Sequence, residues 1–179
     1  TTLFFRERLG INICTGAKQR RDVVCNSGPL IGLAGIGQLE LLAELYSRVL
    51  IPEAVRLEIL GSQRFTHQAA VLSPAWLEVR RVARGPDPML QSELGKGEAE
   101  VIALAQEVGA EKVLIDERKG RRIAAMIYGL NVTGTGGILL ASKRVGLVPA
   151  VRPLLAAMKQ NGYFLGEGLV AAICHAVGE

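Results

Sequence analysis

The sequence predicts an α/β fold with a central, mainly parallel sheet and a helical C-terminal part. From residue 22 to residue 134, short apolar runs rich in β-branched residues alternate with longer segments of helical period. Such alternation is typical of parallel strands joined by crossover helices. Of the 179 residues, 49% are hydrophobic, which is enough for one packed core. Because no internal repeat or long linker divides the chain, we expect a single domain over residues 23–179.

The first predicted elements follow from local patterns. Residues 22–25 (DVVC) form a short apolar run that ends at the breaker cluster NSGP, and residues 38–46 carry apolar side chains at helical spacing. Residues 48–52 (RVLIP) predict a second strand. Pro52 is suited to the first turn of the helix that follows, because its missing N–H would be unpaired there, and Gly61 ends that helix.

The later elements are less regular at first and then strongly patterned. Residues 62–96 show no clear period, although residues 76–82 predict an edge strand before the turn GPDP. The remaining elements are predicted as a helix at 97–109, a strand at 112–116, a helix at 117–129, a strand at 131–134, and helices at 135–146, 149–162 and 167–177.

Charge and cysteine content limit the class of protein. The net charge is +4, of which +3 falls in residues 1–22. This extension is interpreted either as a basic arm that contacts phosphate or as a disordered, upstream or cloning-derived segment. Three widely spaced cysteines without a CxxC pair argue against a disulfide framework or a cysteine zinc site. No apolar run reaches the roughly 18 residues of a membrane span. A soluble, cytoplasmic protein with no membrane partner is expected.

Polar residues follow two of the predicted strands. Asn26 comes directly after the first strand, and Asp116 ends the run KVLID. Ligands of open α/β sheets collect beyond the carboxyl ends of the strands, so these residues and Glu58, with Glu98 or Glu100, are candidates for one cluster. Clustered oxygen ligands select Mg²⁺ or Mn²⁺, and such ions suit phosphodiester hydrolysis. Taken singly, each glutamate is more typical of a solvated helix face than of a metal site.

Three stretches, in this order, resemble the PIN domain family and in particular its toxin-like subfamily: VVCNSGPLIGLAGIGQLELLAELYSRVLIPEAVRLEIL, GEAEVIALAQEVGAEKVLIDERKGRRIA and NVTGTGGILLASKRVGLVPAVRPLL. The resemblance runs from about residue 23 to residue 164. It implies a three-layer α/β/α fold and a Mg²⁺- or Mn²⁺-dependent endoribonuclease, with RNA as the substrate. Many such proteins are toxins, so it also implies a cognate antitoxin and a homodimer.

The resemblance assigns site residues as well. The four catalytic positions of the family fall on Asn26, Glu58, Glu98 and Asp116, and the metal ligands among them are Asn26, Glu98 and Asp116. Glu117 is a weaker candidate beside Asp116. Asn26 departs from the family pattern, which has an aspartate there. Replacing a carboxylate with an amide removes one negative charge, so weaker metal binding and weaker cleavage are expected.

Other signals leave alternatives open. Arg118, Lys119, Arg121 and Arg122 are candidates for binding RNA phosphates or form a solvated helix face. The string TGTGG predicts a turn with Thr135 as a helix N-cap, since it matches no phosphate-binding loop. The alternative function is a catalytically inactive PIN-fold module that binds RNA or protein. A nucleotide-binding α/β protein would need a phosphate loop that the sequence lacks.

Overall fold

The computed structural model describes residues 22–62 and 68–179. All but the last residue of the predicted N-terminal extension therefore lies outside the described residues. The strands are β1 (Asp22–Cys25), β2 (Arg48–Pro52), β3 (Leu77–Arg80), β4 (Lys112–Leu114) and β5 (Val132–Thr133). The helices are α1 (Ser27–Gly35), α2 (Leu41–Leu45), α3 (Glu53–Gly61), α4 (Gln68–Leu72), α5 (Pro88–Glu93), α6 (Lys96–Val108), α7 (Arg118–Met126), α8 (Thr135–Arg144), α9 (Arg152–Gln160) and α10 (Glu167–Ala176).

The five strands form one sheet in the order β3-β2-β1-β4-β5, and every pairing among them is parallel. Helices flank the sheet, as in a three-layer α/β/α fold, so the predicted fold class is confirmed. Helix α6 packs on β1, β2 and β4, and α8 packs on β5 and on α1, α2 and α10. The strand interiors are buried and aliphatic, as expected for a parallel sheet covered on both faces.

The order of the strands determines where the candidate site lies. Strand β1 is central and pairs with β4 so that Cys25 lies beside Leu114. The Asn26 backbone N–H donates to the Leu114 carbonyl at 2.9 Å, which extends this register by one residue. The segments that follow β1 and β4 therefore leave the sheet side by side. Residues far apart in sequence, such as Asn26 and Asp116, emerge at the same edge.

One helix near the site was not predicted. The breaker cluster NSGP predicts a loop after β1, but α1 begins within it, at Ser27. Pro29 lies in the first turn of α1, where proline is tolerated. The helix predicted at 38–46 is confined to the short α2. Glycine lowers the local helical propensity of α1, so tertiary packing, which buries Leu30 and Leu33, stabilises it. Helices α4 and α5 were also not predicted.

The C-terminal third is helical, as predicted, and a carboxylate ties its last two helices together. Both carboxylate oxygens of Glu179 accept from the Val151 N–H, and one also accepts from the Arg152 N–H at 2.8 Å, at the start of α9. These bonds satisfy N–H groups that a helix start leaves unpaired. No helix in the described part of the chain is long and apolar enough to cross a membrane.

The Glu179 contact predicts a pH-dependent stability. Hydrogen bonds from the Arg152 and Val151 N–H groups lower the pKa of Glu179 below its ordinary value of 4.5. A carboxyl group with a lowered pKa stabilises the folded state above its unfolded-state pKa, and this contribution is lost as the pH falls through the folded-state pKa. We expect Glu179→Ala to lower the urea midpoint at neutral pH and to have little effect at about pH 3. The control is Glu167→Ala, since Glu167 is 93% exposed. Equal losses at both pH values would contradict the prediction.

Candidate active site

Asn26 occupies the end of the central strand and is almost completely buried. Its side chain is 8% exposed, and its Oδ1 atom has no hydrogen-bond partner among the described residues. It precedes α1, but its side chain does not cap that helix. Burying a carbonyl oxygen without a partner costs about 1–3 kcal/mol, so native structures normally satisfy such an atom with protein, water or an ion. Asn26 Oδ1 is therefore available to a ligand.

Glu58 faces Asn26 across a space that a glycine leaves open. A β-carbon added at Gly97 would lie 2.8 Å from Glu58 Oε2 and 3.6 Å from Asn26 Oδ1. Helix α3 presents Glu58 on its exposed side, while Val55 and Ile59 of the same helix are buried. Glycine at residue 97 thus keeps two oxygen atoms, one neutral and one charged, facing the same small space.

Glu98 and Glu117 meet in a similar way at Gly120. A β-carbon there would lie 3.4 Å from Glu98 Oε1 and 3.6 Å from Glu117 Oε2. Burial raises the pKa of Glu98, and the negative charges of Glu117 and Glu58 raise it further. Carboxylates that repel one another in this way are relieved by a bound cation. Glu117 is also the N-cap of α7, where its Oε2 accepts from the Gly120 N–H at 2.7 Å.

Asp116 is held by three hydrogen bonds from its own chain. Its Oδ1 accepts from the Thr135 N–H at 2.8 Å, and its Oδ2 accepts from the Thr135 hydroxyl at 2.6 Å and from the Tyr163 hydroxyl. The prediction that Thr135 is an N-cap is wrong. Gly134 occupies that position, and the Thr135 side chain binds Asp116 instead. Burial and the charge of Asp116 raise the pKa of Tyr163, so its hydroxyl remains protonated and donates.

The choice between Glu98 and Glu100 follows from their partners. Glu100 Oε2 accepts from the Ala54 N–H at 3.1 Å, in the first turn of α3. This contact gives Glu100 a structural role, since a carboxylate there satisfies an unpaired N–H and interacts favourably with the helix dipole. Glu98 Oε2 instead accepts from the Gly95 N–H at a long distance of 3.4 Å. Of the two, Glu98 has its carboxylate beside the other acids.

Separate effects are expected from replacing the two glutamates. Glu100→Ala should lower the free energy of unfolding by about 1 kcal/mol, the usual cost of a lost N-terminal cap. Glu98→Gln should leave stability unchanged or slightly higher, because it removes a charge that Glu117 and Glu58 repel. Urea unfolding of both variants measures the difference. A larger loss of stability in Glu98→Gln than in Glu100→Ala would contradict these roles.

The predicted RNA-binding residues of α7 have different surroundings. Arg121 points into the site: a β-carbon at Gly134 would lie 2.5 Å from its Nη1 and 2.6 Å from Asp116 Oδ1. Its Nη1 donates to the Ile115 carbonyl at 3.0 Å. Lys119 pairs with Glu93 at 3.0 Å. The other two predicted residues are exposed: Arg118 and Arg122. Of the four, Arg121 is thus the one beside Asp116.

The side-chain oxygen atoms of this region suit a hard divalent cation, although the described carboxylates do not form one compact cluster. Among residues 22–62 and 68–179, no three His, Cys, Asp or Glu side chains form a group that could hold a metal ion. The acids instead lie in neighbouring places around four glycines: Gly28, Gly97, Gly120 and Gly134. All of these ligand atoms are oxygens, which Mg²⁺ and Mn²⁺ prefer. They include Asn26 Oδ1, which has no hydrogen-bond partner among the described residues.

Comparison with known families agrees with this architecture. The DUF3368 family model, described as a PIN domain, matches residues 22–179. The chain belongs to the PIN domain family. PIN domains are generally nucleases and generally use divalent metals. Comparison with curated proteins and with solved structures gave no significant match.

Sequence reasoning missed two features of this PIN domain site. The first is Tyr163, which lies between α9 and α10 and reaches Asp116 across 47 residues of sequence. No local pattern around residue 163 indicates that contact. The second is the set of glycines that face the acids. Gly97, directly before Glu98, and Gly120, three residues after Glu117, were a usable signal, because a glycine inside a helix is unfavourable unless close packing requires it.

Proposed function

We propose that this PIN domain is a Mg²⁺- or Mn²⁺-dependent endoribonuclease with weakened activity. Asn26, Glu58, Glu98 and Asp116 would surround one or two cations, with Asn26, Glu98 and Asp116 as ligands. When bound, the cation would activate a water molecule and neutralise charge on the attacked phosphate. The observation that carries the proposal is the buried Asn26 Oδ1, which lies beside Glu58 Oε2 and has no hydrogen-bond partner in residues 22–62 and 68–179. A buried oxygen atom without a partner is unfavourable, and binding a cation or an ordered water would remove that cost.

Arg121 supports phosphate as the substrate group. Its guanidinium lies beside Asp116, and among the described residues the Ile115 carbonyl accepts from one of its five N–H groups. A guanidinium binds phosphate oxygens through parallel hydrogen bonds, so a phosphodiester could lie between Arg121 and the cation. Arg118 and Arg122 would contact neighbouring phosphates of a single strand, while Lys119 would first have to leave Glu93. Such contacts fix the position of the RNA without reading its sequence.

The test is cleavage of a labelled, unstructured RNA by the purified protein with Mg²⁺, with Mn²⁺ or with EDTA. We expect slow internal cleavage with either cation and none with EDTA. A single-stranded DNA of the same sequence distinguishes a ribonuclease from a general nuclease. Absence of cleavage by both this protein and its Asn26→Asp variant would overturn the proposal.

The second candidate is a PIN-fold module that binds RNA without cutting it. Two observations favour it: residue 26 is neutral, and the described acids form no three-carboxylate group. This function predicts RNA binding, measured by fluorescence anisotropy, that is equally strong with cation and with EDTA. Binding that requires the cation would favour the nuclease.

A toxin role, a cognate antitoxin, a homodimer and a cytoplasmic location are also proposed, with support from the family resemblance alone. A growth assay on induction of this chain tests the toxin role, and light scattering of the purified protein tests the dimer. Normal growth on induction of Asn26→Asp, in the presence of detectable RNA cleavage, would count against a toxin.

A further inference from the structure

The Tyr163 ring occupies a slot that two glycines create on one face of α1. A β-carbon at Gly32 would lie 2.9 Å from the ring, and one at Gly28 would lie 3.5 Å from the Tyr163 hydroxyl. These glycines are four residues apart, so they share one face of the helix. Any larger residue at Gly32 would displace the ring. The slot holds the ring so that its hydroxyl reaches Asp116.

The hydrogen bonds to Asp116 leave its two oxygens unequal. A carboxylate offers about two acceptor positions on each oxygen. Oδ2 uses both positions, for the hydroxyls of Thr135 and Tyr163, and Oδ1 uses one, for the Thr135 N–H. Within the described part of the chain, one acceptor position therefore remains on Oδ1 and none on Oδ2. A cation that approaches this arrangement can bind Asp116 through a single oxygen.

We propose that Tyr163 is a positioning residue that restricts Asp116 to one-oxygen coordination and thereby favours Mg²⁺ over Ca²⁺. The inference rests on the proposed function, because it requires that Asp116 face a cation. Mg²⁺ demands octahedral geometry and few protein carboxylate oxygens, whereas Ca²⁺ takes six to eight oxygens and accepts both oxygens of one carboxylate. Freeing Oδ2 therefore benefits the larger ion. The loss of an orienting hydrogen bond harms the smaller one.

Tyr163→Phe isolates this effect because it keeps the ring in its slot and removes only the hydroxyl. The matched control is Tyr128→Phe. The Tyr128 hydroxyl also donates to a carboxylate, Asp87 Oδ2 at 2.6 Å, and Asp87 is not one of the proposed site residues. Thr135→Val removes the other hydroxyl on Oδ2 and should act in the same direction as Tyr163→Phe. Thr135→Ser keeps the hydroxyl and should behave as the unchanged protein.

The experiment is calorimetric titration of each 179-residue protein with Mg²⁺ alone and with Ca²⁺ alone, with Asn26 unchanged and in the Asn26→Asp background. We expect the ratio of Mg²⁺ to Ca²⁺ affinity to fall about tenfold in Tyr163→Phe and to be unchanged in Tyr128→Phe. An unchanged ratio in both Tyr163→Phe and Thr135→Val would overturn the inference.

RNA cleavage by the same preparations separates this failure from failure of the proposed function. Cation-dependent cleavage together with an unchanged affinity ratio would remove the role of Tyr163 and leave the nuclease intact. No cation binding in either background would remove both proposals. A thermal melt followed by far-ultraviolet circular dichroism checks that each variant, Tyr163→Phe included, is folded at the temperature of the titration.

Discussion

Asn26→Asp is expected to raise cation-dependent RNA cleavage by about a hundredfold, which corresponds to about 2.7 kcal/mol of barrier. The aspartate would place a charge at the buried Asn26 Oδ1, which has no partner in the part of the chain that the structure describes, beside Glu58 Oε2 and the space at Gly97. The attraction between a carboxylate and a divalent ion is large at this degree of burial, and part of it is offset by desolvation. Initial rates at several Mg²⁺ and Mn²⁺ concentrations measure the effect.

The same substitution should make stability depend on the cation. Without metal, Asn26→Asp adds a buried negative charge near Glu58, which lowers the melting temperature. With saturating Mg²⁺, the ion offsets that repulsion and binding to the folded state restores stability. Asn131→Asp is the control, because it makes the same change of charge at an exposed residue. Asn131 precedes β5 and therefore lies at the amino ends of the strands, opposite the site. Equal cleavage by Asn26→Asp and the unchanged protein would contradict the view that residue 26 limits the site.

Asp116→Asn is expected to reduce cleavage about a thousandfold, or below detection, because it removes the charge from a proposed metal ligand. The amide nitrogen accepts no hydrogen bonds. Asp116→Asn therefore loses either the contact with the Thr135 N–H or those with the Thr135 and Tyr163 hydroxyls, according to which oxygen the nitrogen replaces. The measurement is the single-turnover rate with Mn²⁺, with Asn26 unchanged and in Asn26→Asp.

Asp87→Asn provides a control for Asp116→Asn. Asp87 accepts from the Leu90 N–H at 2.9 Å and from the Tyr128 hydroxyl. Asp116 has the same two kinds of contact and one more from Thr135. Asp116→Asn should lower stability by about 1–3 kcal/mol and abolish cleavage. Asp87→Asn should lower stability less, because Asp87 is exposed, and should leave cleavage unchanged. Retained cleavage in Asp116→Asn would show that Asp116 is not a metal ligand on which cleavage depends.

Local patterns in the sequence predicted most of the sheet and the C-terminal helices, and tertiary contacts explain the exceptions. The helix α6 was recognisable because its apolar residues recur at helical spacing and Gly109 ends it in the left-handed region, at a φ of 60°. Helix α1 was not, because NSGP reads locally as a breaker. Two of its glycines, Gly28 and Gly32, make room for the side chain of Tyr163, which lies more than 120 residues away in sequence.

The parallel α/β class, the PIN family and the candidate acids could be predicted from the sequence, because hydrophobic period and motif order are local properties of the chain. The sequence also shows an amide at Asn26 where the family pattern has a carboxylate. The contacts among these residues follow from the fold: Glu100 accepts from Ala54 while Glu98 faces Glu117, and Thr135 and Tyr163 hold Asp116. These relations depend on which side chains meet at the carboxyl edge of the sheet. Strand order and helix packing bring together residues that are far apart in sequence, and no local sequence pattern predicts such contacts.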